Sequence, residues 1–336
     1  MKLAIYGAGS MGTILGAFIT RAGVEIDLIN RNENHIDALK LNGAMVCGTV
    51  AFEQKVSAMT VEEFRSKSDK YDIIFLMTKQ LDNKAVVTEL KDHMAEDGVI
   101  VTLQNGLPEP KIAEIVGEDH VLGCTVAWGA TMLGAGVCQL TSEPDSLTFA
   151  LGNYGSRKNV HYDDVKELLQ KMGKVDDDNN LIGNRWTKLL INASFSGMSA
   201  VLGCTFGEAA SNPVSRRAVL AIIKECIDIC KAGGIKMEPV QGKDPVSLFD
   251  YRTPIKKAVS YFILPFAIRK HAWLKASMLQ DLEKGKTTEV DAINGVVSEY
   301  GRKYGVPTPV NDKVVEIIHA IERGEKKFGW ENLSEF

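Results

Sequence analysis

The stretch that decides the fold is Lys2–Gly12, KLAIYGAGSMG, in which a short apolar run leads into glycines spaced G-x-G-x-x-G. The run before the glycines has the length and composition of a buried strand, and Met11–Ala22 has helical apolar spacing. Between strand and helix, the first glycine permits a tight turn, the second admits a pyrophosphate, and the third lets the helix pack closely. An ordinary glycine-rich turn is the alternative. The predicted cofactor-binding positions here are Gly7, Ala8, Gly9, Ser10, Met11 and Gly12.

Alternating strand and helix patterns follow this turn. The predicted strands are continuous apolar runs and the predicted helices lie between them, which favours a parallel sheet covered on both faces. The first half is therefore predicted to be an α/β dinucleotide-binding domain of the Rossmann type. Two later runs predict short strands at an antiparallel edge. The strands are Lys2–Tyr6, Glu25–Asn30, Asp72–Met77, Val99–Leu103, Val137–Leu140 and Leu147–Leu151, and the helices are Met11–Ala22, Ile36–Leu41, Val86–Met94 and Asp163–Met172.

Beyond residue 178 the strand patterns disappear and only helical spacing remains. The polar cluster Asp176–Asn180 is the predicted boundary, which gives a dinucleotide-binding domain over 1–178 and an all-helical substrate and dimerisation domain over 179–336. Thr288 followed by Asp291 resembles a capping box. The predicted helices are Trp186–Leu202, Pro213–Ala232, Pro254–Lys270, Thr288–Tyr304 and Pro309–Arg323.

Composition excludes several classes of protein. The net charge of −4 lacks the clustered basic excess of a nucleic-acid-binding protein. No apolar run approaches the roughly 18 residues of a membrane-spanning helix, and no leader pattern precedes the first strand, so a cytoplasmic enzyme is expected. The six cysteines and six histidines show no metal-ligand spacing, and no metal is expected.

Arg31 indicates which dinucleotide would bind. The second strand ends at Asn30 and Arg31, where NAD-preferring sites usually carry an acidic residue for the ribose 2′-hydroxyl. A guanidinium suits a 2′-phosphate, so NADPH or NADP+ is predicted over NAD(H), with a solvated surface arginine as the alternative. Lys79 and Asn105 follow later strands and are candidates for contacts near the adenosine and the nicotinamide ribose. A surface lysine and a turn asparagine are the alternatives.

Candidate catalytic residues lie in the helical half. Lys188 and Asn192 are four positions apart on an apolar helix and should share a face, which Ser196 continues. A lysine buried there would have a lowered pKa, which suits a proton donor, while a lysine that reaches solvent is the alternative. Glu289 lies in the first turn of a predicted helix, where capping alone would explain it, and Ser277 carries no signal by itself.

Taken together, these blocks resemble the ketopantoate reductase family over essentially the whole chain. The resemblance runs from GAGSMG through QNG at Gln104–Gly106 and W-x-K-L-x-x-N at Trp186–Asn192 to SMLQDLEKGKTTEVDAING at Ser277–Gly295, the most specific block. It implies a Rossmann-type domain followed by an all-α domain like the C-terminal domain of 6-phosphogluconate dehydrogenase. It also implies hydride transfer from NADPH to the keto group of 2-dehydropantoate (ketopantoate), giving pantoate for coenzyme A synthesis.

The resemblance also implies roles for single residues. Lys188 matches the proton donor and Glu289 a glutamate beside the reacting centre and cofactor. The remaining matches are the substrate positions Asn192 and Ser277, the shared cofactor and substrate position Asn105, the 2′-phosphate positions Arg31 and Lys79, and the cofactor-lining position Ala130.

Two departures from the family pattern bear on the substrate. Ser196 and Phe206 stand where the family often has asparagine, so the pocket would be less polar around the distal end of the substrate. A family member acting on a different small 2-oxo acid is therefore an alternative. A redox-sensing NADP-binding regulator is a second one, although it would not need Lys188, Asn192 and Glu289 together. A homodimer is expected, formed by the apolar helices of the second domain.

Overall fold

The computed structural model describes residues 1–240 and 242–336. The chain forms two compact units, the first comprising Met1–Gln104 with Pro108–Leu181 and the second comprising Asn105–Leu107 with Ile182–Phe336. Asn105, predicted within the first domain, is thus grouped with the second unit, and the boundary at 178/179 stays a prediction. Among the described residues, no helix combines the length and apolarity needed to cross a membrane.

The first unit is built on an eight-stranded sheet of order β12-β11-β8-β7-β6-β1-β2-β5. Every pairing in it is parallel except that of β11 with β8. This confirms the predicted α/β class. The strands are β1 Leu3–Tyr6, β2 Asp27–Asn30, β3 Ala44–Gly48, β4 Phe52–Gln54, β5 Ser57–Thr60, β6 Tyr71–Leu76, β7 Met94–Thr102, β8 Val121–Val126, β9 Ala130–Gly134, β10 Val137–Leu140, β11 Thr148–Asn153 and β12 Lys174–Asp177.

Helices cover both faces of this sheet, as its continuous apolar strands require. Along β1, Leu3 and Ile5 join the core formed with α1 and α6, whereas Ala4 and Tyr6 join the core formed with α3, α4 and α5. Alternate residues of one strand point to opposite faces, so one strand supplies both cores. The helices of this unit are α1 Ser10–Arg21, α2 Glu33–Asn42, α3 Val61–Ser66, α4 Asn83–Asp92, α5 Glu109–Val116 and α6 Tyr162–Gln170.

A second sheet of four strands, ordered β4-β3-β10-β9, packs on α1. The prediction that Val137–Leu140 and Leu147–Leu151 form one antiparallel edge was therefore wrong. The first segment is β10, which pairs parallel with β3 and antiparallel with β9, whereas the second lies largely within β11 of the large sheet. Sequence periodicity did not predict β9, because four of its five residues are exposed and show no apolar alternation.

The second unit is helical, as predicted, and its core lies between the long helices. Pro213–Ala232 matches its prediction residue for residue, while the helix predicted to end at Lys270 ends at Ala267. The helices are α7 Leu181–Ile191, α8 Gly197–Leu202, α9 Phe206–Ser211, α10 Pro213–Ala232, α11 Pro245–Phe249, α12 Pro254–Ala267, α13 Ser277–Glu283, α14 Val296–Tyr304 and α15 Pro309–Glu322.

Two π-helical turns interrupt helices that were predicted to be regular. Asn192–Ser196 lies between α7 and α8, and Asp291–Gly295 lies just before α14. A π turn closes i→i+5 hydrogen bonds and is frequent at functional sites. Inside the first turn, the Ser194 hydroxyl donates to the Leu190 carbonyl at 2.7 Å, a side-chain bond that competes with the regular backbone ladder.

Candidate functional site

The glycine turn at residues 7–12 has the geometry that its sequence predicted. Gly7 has φ +103°, and a Cβ there would lie 2.5 Å from the Thr78 backbone nitrogen, so only glycine fits. A Cβ on Gly12 would lie 2.7 Å from the Gly7 carbonyl oxygen. At Gly9 the nearest atom would be 4.0 Å away, which leaves the backbone open to a ligand. The turn is therefore tight at two positions and accessible at the third.

The N-terminus of α1 suits an anion. Its N-cap, Gly9, provides no side-chain hydrogen bond, and the first turn carries no acidic residue. The N–H groups and the positive end of the helix dipole are thus available to phosphate oxygens. The Ser10 hydroxyl donates to the Ala130 carbonyl at 3.2 Å, which joins the turn to β9, the strand that begins at the predicted cofactor-lining residue. These residues fit a dinucleotide pyrophosphate.

Arg31 and Lys79 are exposed just after the carboxyl ends of β2 and β6, the two strands that flank β1 in the sheet. Arg31 lies between the end of β2 and Asn32, whose side chain accepts from His35 N and caps α2. In the part of the chain that the structure describes, Arg31 has no ion pair, so its guanidinium is available to a phosphate. Lys79 follows β6, which lies beside β1 in the sheet.

The loop that carries Lys79 is held by a buried glutamine. Gln104 Nε2 donates to the Thr78 carbonyl at 2.9 Å and to Asn83 Oδ1 at 2.8 Å. Sequence reasoning had treated Gln104 only as part of the QNG motif. Its position after β7 explains the bonds, since the carboxyl ends of parallel strands β6 and β7 lie at one edge.

In the second unit, Lys188 and Asn192 are half-buried near the end of α7 and the start of the first π turn. Lys188 thus lies between the two alternatives of a buried lysine and one that reaches solvent, and its role as a proton donor stays a prediction. Ser196 is buried, with 8% of its surface exposed, at the end of the same turn. Asn192 begins the π turn and Ser196 ends it, so the common face predicted for a regular α-helix stays a prediction for this irregular segment.

Phe206 is buried and packs against Phe195 with ring centroids 5.8 Å apart. Phe195 belongs to the first π turn. Phe206, which stands where the family often has asparagine, therefore packs against that turn within the hydrophobic core. The exposed Ser277 begins α13, which packs against both the π turn and α8. Asn192, Ser196 and Ser277 thus lie on or beside one irregular segment. Asn105 belongs to the short stretch Asn105–Leu107, which is grouped with the same unit but is distant from that segment in the sequence.

A buried polar network joins the two π turns. Asn294, in the second turn, donates from Nδ2 to the Ala193 carbonyl of the first turn at 3.0 Å and to Asn311 Oδ1 at 2.9 Å. Glu225 accepts from Asn311 Nδ2 at 2.7 Å and from the backbone N–H groups of Val310 and Asn311. Burial raises the pKa of Glu225, and these donated hydrogen bonds oppose the rise. Sequence reasoning missed this network because its members are far apart in the chain.

Glu289 is half-buried at the entry to the second π turn. The capping box predicted from Thr288 and Asp291 was wrong, because the carboxylate that accepts from Thr288 N, at 2.7 Å, belongs to Glu322 of α15. The Thr288 hydroxyl donates to the same oxygen at 2.8 Å. A distant residue therefore holds the backbone beside Glu289.

His319 completes this arrangement. Its Nδ1 lies 2.8 Å from Glu322 Oε2, and its Nε2 lies 3.0 Å from Asp291 Oδ1. Burial lowers the pKa of His319, but the hydrogen bonds to the two carboxylates outweigh it, so the pKa is raised overall. The protonated ring can donate to both carboxylates at once.

Comparisons with known proteins agree with this division of the chain. The family model "Ketopantoate reductase PanE/ApbA" matches residues 3–153, and its companion "Ketopantoate reductase PanE/ApbA C terminal" matches residues 180–322. The chain is 28% identical to a 2-dehydropantoate 2-reductase of Streptococcus pyogenes over 325 residues, covering 96% of this chain and 98% of that protein. A 2-dehydropantoate 2-reductase of Pyrococcus horikoshii is 28% identical over 324 residues, with the same coverage.

Solved structures show the same fold. A ternary structure of D-mandelate dehydrogenase with NADH and anilino(oxo)acetate has a TM-score of 0.80 and 25% identity, over 96% of this chain and 99% of that one. A PanE/ApbA family ketopantoate reductase from Ralstonia eutropha has a TM-score of 0.81 and 22% identity, over 97% and 99%.

Proposed function

We propose, from the premise that this chain belongs to the ketopantoate reductase family, that it reduces 2-dehydropantoate to pantoate with NADPH. The observation that carries the proposal is the pairing of a glycine turn open to a pyrophosphate with a helical unit that presents Lys188, Asn192 and Glu289. Relatives named for this reaction align over 96% of the chain, which supports the same reaction here.

The cofactor assignment rests on the charges around the adenosine end. Arg31 directly follows the second strand of the sheet, where an acidic residue would favour NAD(H), and its exposed guanidinium suits a 2′-phosphate. Lys79 supplies a second cation after β6. The glycine turn and the uncapped N-terminus of α1 would hold the pyrophosphate, with Ala130 lining the site.

When bound, the reduced nicotinamide supplies a hydride to the C2 carbonyl of the substrate. Lys188 then stabilises the developing alkoxide and donates a proton to it from Nζ, and its half-buried position allows reprotonation from water. Asn192, Ser196 and Ser277 bind the substrate, and Asn105 contacts both substrate and cofactor. Glu289 lies beside the reacting centre. The first π turn sets where the Asn192 amide and the Ser196 hydroxyl lie.

The direct test is NADPH oxidation by the purified protein with 2-dehydropantoate and a panel of small 2-oxo acids. A kcat/KM for 2-dehydropantoate at least tenfold above every other acid supports the proposal. Turnover of NADPH with none of the acids would reject it, together with the assignment of Lys188.

A second candidate is reduction of a different 2-oxo acid, and two observations favour it. The D-mandelate dehydrogenase structure, 25% identical to this chain, contains NADH and anilino(oxo)acetate, an aromatic 2-oxo acid. In this chain, Phe206 takes the place of a polar residue and packs beside the first π turn. The same panel decides between the two, since a preference for phenylglyoxylate over 2-dehydropantoate would select the second candidate.

We also infer a homodimer formed through α12. Ile255, Val259, Phe262 and Phe266 form an exposed apolar stripe along this helix, with Phe262 65% and Phe266 73% exposed. The positions recur at helical spacing on one face. A contiguous exposed apolar patch of this kind is typical of a protein interface.

The proposed enzyme is cytoplasmic. All six cysteines are free thiols, and five of them are buried, as is usual in a reducing compartment. The acidic net charge of −4 gives no support for a nucleic-acid partner.

A further inference from the structure

We propose that His35 is a positioning residue for the dinucleotide, acting through the Thr13 hydroxyl on the backbone of the glycine turn. His35 is fully buried on α2, and its Nε2 lies 3.0 Å from Thr13 Oγ1. Thr13, also fully buried, donates from Oγ1 to the Ala8 carbonyl at 3.1 Å. Ala8 lies between the two glycines that shape the turn. The inference rests on the proposed dinucleotide site.

The direction of these hydrogen bonds is fixed by a third partner. Gly136 donates its backbone N–H to His35 Nδ1 at 3.0 Å, so Nδ1 must be an unprotonated acceptor. The neutral ring then carries its proton on Nε2 and donates to Thr13, and Thr13 donates onward to Ala8. Burial lowers the pKa of His35, which favours this neutral form, although the backbone of Ala8 opposes the shift.

The three bonds join four separate segments of the first unit. Ala8 belongs to the glycine turn, Thr13 to α1, His35 to α2, and Gly136 to the turn between β9 and β10. The same α2 starts two residues after Arg31, and Asn32 caps it by accepting from His35 N at 3.2 Å. His35 therefore links the predicted pyrophosphate contact to the predicted 2′-phosphate contact, at opposite ends of the adenosine half of the cofactor.

If the hydrogen bonds of His35 served only to stabilise the folded core, replacing His35 or Thr13 would lower the free energy of unfolding and leave the affinity for NADPH unchanged. The test is the dissociation constant of NADPH for the protein without substrate, measured by isothermal titration calorimetry. Thr13→Val keeps the shape of the side chain and removes both hydrogen bonds, and Thr13→Ser keeps the hydroxyl. Losing a hydrogen bond of the usual net strength corresponds to about a threefold to tenfold weaker affinity. We expect that loss for Thr13→Val and less than about a twofold change for Thr13→Ser.

His35 is tested in the same way. His35→Gln retains one donor and one acceptor and should bind NADPH more tightly than His35→Ala. We call the hydrogen bonds from His35 through Thr13 to Ala8 the relay. At saturating NADPH and substrate, kcat of all folded variants should stay near the wild-type value, because the relay does not touch the reacting atoms. If Thr13→Val does not fold, Thr13→Ala removes the same hydroxyl in a residue that favours helix.

The outcomes separate this inference from the proposed function. Wild-type affinity in Thr13→Val, or an equal loss in Thr13→Val and Thr13→Ser, would overturn the relay even if the enzyme reduces 2-dehydropantoate. Tight NADPH binding that depends on the Thr13 hydroxyl would support the relay even if another 2-oxo acid is the substrate. A wild-type protein that binds neither NADPH nor NADH would overturn both.

Discussion

Replacing Asn294 with leucine tests whether the second π turn holds the first one in place. Asn294 is fully buried and supplies both amide protons, one to the Ala193 carbonyl and one to Asn311 Oδ1. Leucine has nearly the same size and shape but no donor, so the substitution removes the two bonds without opening a large cavity. Both acceptors then lose their partner inside the helical core.

The expected loss of unfolding free energy follows from the two buried acceptors that lose their donor. An unsatisfied buried acceptor costs about 1–3 kcal/mol, so two cost roughly 2–6 kcal/mol. Leucine offsets part of this, because it buries additional apolar surface at about 25 cal/mol per Å² and removes Asn294 Oδ1, a buried acceptor that has no hydrogen-bond donor among the described residues. We expect the free energy of unfolding to fall by about 2–4 kcal/mol, measured by urea denaturation. The KM for the 2-oxo acid should rise about threefold to tenfold, because Ala193 lies between Asn192 and Ser196.

Asn332 provides a matched control in the same unit. It is also buried, and its Nδ2 donates to the carbonyls of Val201 and Lys327 at 3.0 and 2.9 Å. Asn332→Leu should therefore lose similar stability while the substrate KM stays near the wild-type value. Equal changes of KM in the two variants would refute the specific role of Asn294. An unchanged unfolding free energy in Asn294→Leu would refute the hydrogen-bond network itself.

Four further predictions concern the active centre, the cofactor, pH and assembly. Lys188→Ala should lower kcat by about 10²–10³ in stopped-flow assays while the NADPH dissociation constant stays unchanged, and full activity would exclude it as the proton donor. Arg31→Ala should raise the KM for NADPH far more than that for NADH, and equal increases would remove the 2′-phosphate assignment. His319 has a raised pKa in the folded protein, so its contribution to stability is complete below its ordinary pKa of 6.5 and is lost as pH rises through the folded value. Urea titrations from pH 6 to pH 9 should show this loss in wild type and not in His319→Gln. Phe262→Glu should yield monomers in analytical ultracentrifugation, whereas Leu133→Glu, at an exposed position in the first unit, should leave the dimer intact.

Local patterns in the sequence were sufficient for the class of fold and for the cofactor turn. The requirements at Gly7 and Gly12 are steric and act over a few residues, so the spacing of the glycines already contained them. Apolar spacing predicted Pro213–Ala232, and the structure shows why its start is so sharp: the Asn212 side chain accepts from Val214 N and Ser215 N, and Pro213 is the first helical residue.

The sequence by itself determined the α/β unit, the helical unit and the identity of the residues proposed for chemistry. Only the tertiary structure decided how those residues are supported: Asn294 reaches Ala193 and Glu322 reaches Thr288 across long stretches of chain. Likewise His35 receives its second partner, Gly136, from a turn 101 positions away. The physical reason is that a buried polar group takes whatever partner packing brings to it. Spacing along the chain records helical and strand periodicity but carries no information about such distant partners.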